Sequence, residues 1–259
     1  MAYEVSVNLE YMFREAGERI EDRIAAAAAA GFRRGEMFTT GNRDVPSLAR
    51  ALADHGFLLH SVVADPRTRL IERETHDGFR GLFRKAAEDA KALGCRRVVV
   101  ASGPAVPWMK RPVQLDIVAE AVASIVPIAQ EIGVTIMLEP VNTRVDHPGV
   151  LFSQTVDAVQ VIEKVASPTV RLLYDLYHSV VEGEDPMTVA PRVAHLIEHV
   201  QIADAPGRGE PGSGKIDWPA MLGLLRRIGY AGPIGVECSP TQSSTPEALS
   251  YIRELCRDA

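Results

Sequence analysis

Short runs of β-branched and apolar residues recur along the chain, and each is followed by a longer stretch in which apolar positions return every three to four residues. The first pattern predicts strands over Tyr3–Leu9, Arg34–Phe38, Phe57–Val63, Arg97–Ala101, Val134–Glu139, Val170–Asp175, Ile197–Ile202 and Pro233–Glu237. The second predicts helices over Ala16–Ala30, Pro46–His55, Gly78–Leu93, Val113–Ile132, Thr155–Val165, Asp185–Ala194, Trp218–Ile228 and Pro246–Arg257. Gly31, Gly56, Gly94, Gly133 and Gly229 each follow a helical run directly, where a helix C-terminus favours glycine. The segments AAAAGFRRGEMF, ADHGFLLHSVV, KALGCRRVVVA, AQEIGVTIMLEP and LRRIGYAGPIGVE repeat the order helix, glycine, strand about once per βα unit.

Strict alternation of strand and helix predicts a parallel sheet. Eight units in roughly 250 residues is the size of a (β/α)8 TIM barrel. A doubly wound sheet is the alternative, but it would place a phosphate-binding glycine loop after the first strand, and VNLEYMF has none. No linker, low-complexity tract or second domain interrupts the pattern, so a single TIM-barrel domain over residues 1–259 is expected.

Composition narrows the choice of partner. Hydrophobic residues make up 46% of the chain and charged residues 24%, as in ordinary globular proteins. A formal charge of −6 without a basic run argues against nucleic acid. Three cysteines, Cys95, Cys238 and Cys256, have no C-x-x-C pair, which suits a reducing, cytoplasmic setting better than a disulfide framework. The N-terminal MAYEVSVNLEYMF carries acids where a signal peptide would carry bases. No uninterrupted apolar run reaches the ~18 residues of a membrane span, so no membrane partner is expected. The barrel class is often homo-oligomeric, but no sequence patch identifies an interface.

Four predicted strand ends carry an acid or amide in an apolar setting: Glu139 in VTIMLEPVN, Asp175 in VRLLYDLYH, Gln201 in IEHVQIAD and Glu237 in PIGVECSP. Their spacings of 36, 26 and 36 residues are each about one βα unit, so a closed barrel gathers all four at one rim, where such barrels place their active sites. Three carboxylates that converge would repel one another unless a cation intervenes. Oxygen ligands of this kind suit Mg or Mn better than Zn. His178 lies three residues past Asp175 and is placed to donate to a substrate oxygen; His60 falls inside the third strand and faces either pocket or core. His55, His195 and His199 read as structural, His147 as bordering the site or the surface, and Cys238 as packing outside the barrel interior.

The stretch GRGEPGSGKIDW nearly fits a P-loop, G-x-x-x-x-G-K-[ST], but Ile216 stands where Ser or Thr should be. The following helix is expected to begin beyond Asp217, with Asp217 as its cap and Pro219 in the first turn. The glycines are better read as a tight rim that lets Arg208 point into the pocket, with Glu210 beside it fixing Arg208 or an adjacent segment.

Taken together, VNLEYMF, GFRRGEMF, LEPVN, YDLYH, HVQIADAPGRGEPGSGKIDW and GYAGPIGVEC resemble the hydroxypyruvate isomerase family, within the xylose isomerase-like TIM barrels that also hold ketose 3-epimerases. The resemblance covers nearly the whole chain. It implies a divalent metal ion bound by Glu139, Asp175, Gln201 and Glu237, with Glu139 and Glu237 moving protons. It also implies that His178 and Arg208 contact substrate oxygens and that Glu36 and His60 line the pocket; Glu210, from its place in the loop beside Arg208, is grouped with these substrate-binding residues. Epimerase relatives usually have His where Gln201 stands, so the amide favours the hydroxypyruvate isomerase branch and a small hydroxy-carbonyl acid as substrate. The segment after the third strand, VVADPRTRLIERETHDGF, is shorter than the family's Gly- and Arg-containing one, and LEPVN is followed by TRVDHPG, a near but inexact match; these departures bear on substrate choice rather than on the metal.

Overall fold

A computed structural model describes residues 2–64 and 68–258. Within the segment after the third strand, residues 65–67 lie outside the described residues. The eight strands are β1 (Val5–Asn8), β2 (Arg34–Glu36), β3 (Leu58–Val63), β4 (Arg97–Val100), β5 (Thr135–Leu138), β6 (Val170–Asp175), β7 (Ile197–Ile202) and β8 (Ile234–Val236). They pair in sequence order, and β8 pairs with β1 through Val5–Ile234, Ser6–Gly235 and Val7–Val236, closing an all-parallel barrel. This is the (β/α)8 architecture expected from the alternation. Several strands stop short of the apolar runs at their C-terminal ends: Leu9, Phe38, Ala101, Glu139 and Glu237 leave the ladder for the loops that shape the rim.

Helices α1 (Ile20–Ala29), α2 (Val45–Asp54), α3 (His76–Ala92), α4 (Arg111–Ile132) and α5 (Thr155–Val165) follow the first five strands. Two helices follow β6, α6 (Leu176–Glu182) and α7 (Pro186–Val193), where the pattern gave one. α6 escapes the periodicity because five of its seven residues are buried, leaving no polar face to alternate. α8 (Trp218–Arg227) starts on the Asp217 cap as expected, and the last predicted helix divides into α9 (Thr245–Ala248) and α10 (Ser250–Asp258). Among the described residues α4 is long and apolar enough to cross a membrane by length and composition. Yet 56% of that window is buried inside the fold, where α4 packs against α3 and α5.

Alternation along the strands divides the barrel interior into two halves. On β4–β6, Val99, Met137 and Leu173 form a small apolar cluster, while Val98, Ile136 and Leu172 join the main core under the helices. The half made by β7, β8 and β1–β3 is polar: Asn8, Glu36, His60, Ser61, His199 and Gln201 are all buried. A register shift at Gly35/Glu36 breaks the β2–β3 alternation, so both His60 and Ser61 reach this network. Gly235 in β8 makes room for it. A Cβ there would collide with Glu36 Oε1 and come within 2.7 Å of His199 Nε2. Gly235→Ala should therefore cost about 1–3 kcal/mol of stability, the usual penalty for overpacking. Urea unfolding measures this; a loss under about 0.5 kcal/mol would mean that the interior relaxes freely around the methyl group.

Candidate active site

The register assembles the rim. Asp175, last in β6, pairs with Gln201 in β7; Gln201 pairs with Gly235 in β8, and Glu237 follows two residues later. Glu139 follows Leu138, which pairs with Leu172 of β6. Ligand atoms of Glu139, Asp175 and His178 lie within 4.8 Å of one another. Above them opens a cavity of about 780 Å³ whose lining includes Glu139, Glu237, His178 and Arg208 together with the apolar Val63, Val99 and Val150.

Several polar groups here are held at one end. Asp175 Oδ1 caps α6 by accepting from the backbone N–H groups of Tyr177 (2.8 Å) and His178 (3.2 Å), which leaves Oδ2 turned inward. His178 Nδ1 faces two donors on Asn142, the backbone N–H at 3.2 Å and the side-chain Nδ2 at 2.7 Å. The Asn142 amide is itself oriented, because its oxygen accepts from Val145 and Asp146 N–H while Nδ2 donates to Asp146. Nδ1 is thus the bare nitrogen, and Nε2 carries the proton, 3.7 Å from Asp175 Oδ2. Burial, opposed by Asp175 and assisted by Arg208, holds the imidazole neutral by pulling its pKa down to about 4.

Arg208 Nη2 donates to Glu237 Oε1 at 2.6 Å, and its guanidinium lies 5.5 Å and 5.2 Å from the ring centres of Tyr11 and Tyr177. Burial works against its charge, but Glu237 and Asp175 outweigh burial and push the guanidinium pKa up. Glu237 Oε2 accepts from Asn8 (2.8 Å) and Gln201 (3.0 Å). Burial raises the Glu237 pKa to about 7; Arg208 opposes the rise, while Asp175 and Glu36 add to it. Glu139 is raised well above the carboxylate range by burial and then by Glu237 and Asp175. Its side chain makes no hydrogen bond among the described residues, and it lines the cavity.

Beneath this layer, Gln201 Nε2 also donates to Glu36 Oε2 at 2.8 Å, Glu36 Oε1 meets His199 Nε2 at 3.0 Å, and His199 Nδ1 meets His60 Nε2 at 3.1 Å. Burial opposes the charge on Glu36, but His199 beside it outweighs burial and holds the carboxyl down at about 2; burial pushes His60 down to about 2. Glu36 and His60 thus lie under the cavity instead of lining it. His199, read from sequence as structural, is the link between them. Glu210 also stays out of the cavity. Its carboxylate accepts from Thr241 N (2.8 Å) and Oγ1 (2.7 Å), tying its loop to the adjacent segment after β8 instead of to Arg208.

The donor set suits a hard divalent cation. Asp175 Oδ2 and Gln201 Oε1 are buried without a hydrogen-bond partner, a costly state for two oxygens unless something positive meets them. Glu139, Asp175 and His178 form the ligand cluster, and Arg208 lies beside it, 3.4 Å from His178 Nε2 and 2.6 Å from Glu237 Oε1.

The near-P-loop resolves into a scaffold around Asp204. Its Oδ1 accepts from the N–H groups of Ala205 (2.8 Å) and Ile216 (3.1 Å), and its Oδ2 accepts from Gly212 N (2.7 Å) and Trp218 Nε1 (2.8 Å). A Cβ at Gly214 would strike Asp204 Oδ1 and the Ala205 carbonyl, so glycine is needed there for close chain approach. The loop delivers Arg208 with left-handed backbone, φ 54°, an uncommon state for a side-chain-bearing residue that the surrounding contacts must enforce. Asn8, Tyr11, Asn142, Asp146, Tyr177 and Asp204 were not picked out from the sequence. All six sit inside or beside the stretches VNLEYMF, LEPVN, YDLYH and QIAD, as polar neighbours of the chosen residues.

The family model for xylose isomerase-like TIM barrels matches residues 24–255. Over 96% of its length the chain is 30% identical to the 2-oxo-tetronate isomerase of Cupriavidus necator, of which it covers 96%. It is 28% identical to the hydroxypyruvate isomerase of Escherichia coli, with 95% of this chain and 97% of that one covered. A solved structure described as an AP endonuclease, family 2, from Brucella melitensis superposes with a TM-score of 0.90 at 27% identity, covering 97% and 98% of the two chains. The chain belongs to the xylose isomerase-like TIM barrels, and within them to the hydroxypyruvate isomerase family. It is an isomerase.

Asp204→Ala removes the acceptor for four donors and should cost about 1–3 kcal/mol or more. Because Arg208 depends on the same loop, turnover should fall along with stability. Thermal unfolding and steady-state kinetics check both; a variant with unchanged turnover would show that Arg208 is placed without Asp204.

Proposed function

We propose that the enzyme interconverts hydroxypyruvate and tartronate semialdehyde, or a close small hydroxy-carbonyl acid, with Mg or Mn held by Glu139, Asp175, Gln201 and Glu237. The observation that carries this reading is the pair of buried, partnerless oxygens, Asp175 Oδ2 and Gln201 Oε1, on neighbouring strands whose rim also carries the cavity-lining Glu139 and Glu237. The names of the two curated relatives point to the same substrate class.

Such an isomerisation moves a proton between adjacent carbons while carbonyl and hydroxyl exchange places. A bound divalent ion supplies Lewis-acid stabilisation of the negative charge that develops on the two oxygens. The residues do the rest. The Glu139 side chain makes no hydrogen bond among the described residues, and burial and its acidic neighbours raise its pKa. The ionised form would be favoured beside a bound cation, and its carboxylate would then take a proton from carbon. Glu237, held by Asn8, Gln201 and Arg208, serves as its counterpart across the substrate. Arg208 offers a guanidinium suited to the substrate carboxylate, and Tyr11 and Tyr177 hold it in place through their ring faces. His178, with its proton on Nε2, donates to a substrate oxygen. The apolar wall of Val63, Val99 and Val150 keeps water away from the opposite side.

The neighbour described as an AP endonuclease shares the barrel, but DNA chemistry would need a basic face for phosphates. This chain carries a formal charge of −6, and one histidine joins the ligand cluster found among the described residues.

Glu139→Gln and Glu237→Gln should each lower kcat by at least ~100-fold, the scale of lost acid–base catalysis. EDTA should abolish turnover of hydroxypyruvate, and Mn or Mg should restore it. Near-normal turnover in both variants, or full turnover by verified metal-free protein, rejects the reading. Turnover of a free ketose with none of any hydroxy-carbonyl acid would transfer the assignment to a sugar epimerase of the same fold.

A further inference from the structure

We propose that Glu36 is a positioning residue that orients the Gln201 carboxamide so that its oxygen, and not its nitrogen, faces the metal. The inference rests on the metal reading given above. The two ends of a carboxamide are almost the same size and shape, so packing alone does not decide which of them points into the site. Hydrogen bonding does. Gln201 Nε2 sits between two carboxylate oxygens, Glu36 Oε2 at 2.8 Å and Glu237 Oε2 at 3.0 Å. Ionised carboxylates accept and do not donate, so only the NH2 group fits between them. Turning the amide over would set its carbonyl oxygen against both. The orientation that survives leaves Oε1 buried and without a partner.

Of the two acceptors, Glu36 is the one that stays fixed. Glu237 belongs to the ligand and acid–base set and also pairs with Arg208. Glu36 lies a layer lower, 1% exposed, outside the cavity lining. Its other oxygen is held by His199 Nε2 at 3.0 Å, and Ser61 Oγ approaches Oε2 at 3.4 Å. His199 is steadied in turn by His60 at 3.1 Å and Tyr230 at 3.4 Å. Proton positions follow along this row. His199 donates from Nε2 to the carboxylate, which leaves Nδ1 bare to accept from His60 Nε2–H. The polar half of the barrel interior thus ends at a single ligand atom. A glutamine ligand needs this support more than a histidine or carboxylate would, because only the amide has a wrong end.

The test reads metal affinity directly. Mn2+ titration by calorimetry on folded, metal-stripped protein should show Glu36→Gln binding about 10–100-fold more weakly than wild type, the usual effect of removing a group that orients a ligand. In a Gln201→Ala background the same substitution should change affinity by less than about 2-fold, since the effect travels through Gln201. Glu36→Asp, which keeps the charge but draws the carboxylate back by one methylene, should also weaken Mn2+ and serves if Glu36→Gln fails to fold. Unchanged affinity in the folded Glu36 variant overturns the proposal. So does an equal loss in both backgrounds, which would mean that Glu36 acts on the fold and not through the amide. Wild-type protein that binds no Mn2+ would reject the metal reading itself, a result visible before any variant is made.

Discussion

Buried carboxylates that must sit close together set the terms for the rest of this barrel. Glu36, Asp175 and Glu237 are buried at this end of the interior, half-buried Glu139 lies beside them, and Arg208 is the cation against them. Removing like charges from water is costly. The cost appears in the directions in which the groups are pushed: Glu139 well up and Glu237 up to about 7, both by burial first, while Glu36 stays low because His199 lies beside it. A fold seeking stability alone would not collect acids in this way. Their collection makes sense where a divalent ion and an anionic substrate share the space, one reducing the repulsion and the other drawn to Arg208.

That constraint explains the division of the interior. Next to the rim acids Glu139 and Asp175, the interior of the β4–β6 side is filled by Val99, Met137 and Leu173, and Val99 carries that apolar surface into the cavity. The other side gives its volume to hydrogen-bonded side chains, and Gly235 gives up a side chain so that Glu36 and His199 can meet. The loop after β7 follows the same logic. Its strained Arg208 backbone is tolerated because Asp204 binds four donors across fourteen residues of chain, from Ala205 to Trp218, and Glu210 ties the loop to Thr241. Backbone strain and close glycine approaches are concentrated where a cation has to be aimed.

The barrel was legible in the sequence because its signal is periodic. Apolar runs and helical repeats alternate eight times, and Glu139, Asp175, Gln201 and Glu237 recur in step with them, so their arrival at one rim follows from closure alone. Depth along the barrel axis was not legible. Glu36 and His60 face inward but do not line the cavity, and no local pattern announces either their depth or the shift in β2–β3 pairing beside Glu36. Helix α6 was missed for a related reason: a short helix buried on nearly all sides has no amphipathic period. The importance of Asp204 was hidden because its donors come from a loop whose conformation only the folded chain defines. Glu210 and Arg208 stand two residues apart, and only the loop's shape turns one toward Thr241 and the other toward Glu237.

A common device runs through the site. Several of its polar side chains offer two hydrogen-bonding atoms, and the fold takes one and leaves the other. Asp175 gives Oδ1 to the start of α6 and keeps Oδ2. His178 gives Nδ1 to Asn142 and keeps Nε2–H. Gln201 gives Nε2 to two glutamates and keeps Oε1. In each case the bond spent on structure fixes the identity of the group left for chemistry: a bare carboxylate oxygen, a neutral donor, a carbonyl oxygen. Preorganisation of this sort lowers the reorganisation needed when charge develops on a substrate, since the reacting ends are already oriented before it arrives. Glu139 is the exception: its side chain makes no hydrogen bond among the described residues, which leaves both oxygens available to a cation or a substrate. In the proposed reaction the two proton-moving glutamates therefore differ, one with both oxygens free and the other with both held by Asn8, Gln201 and Arg208.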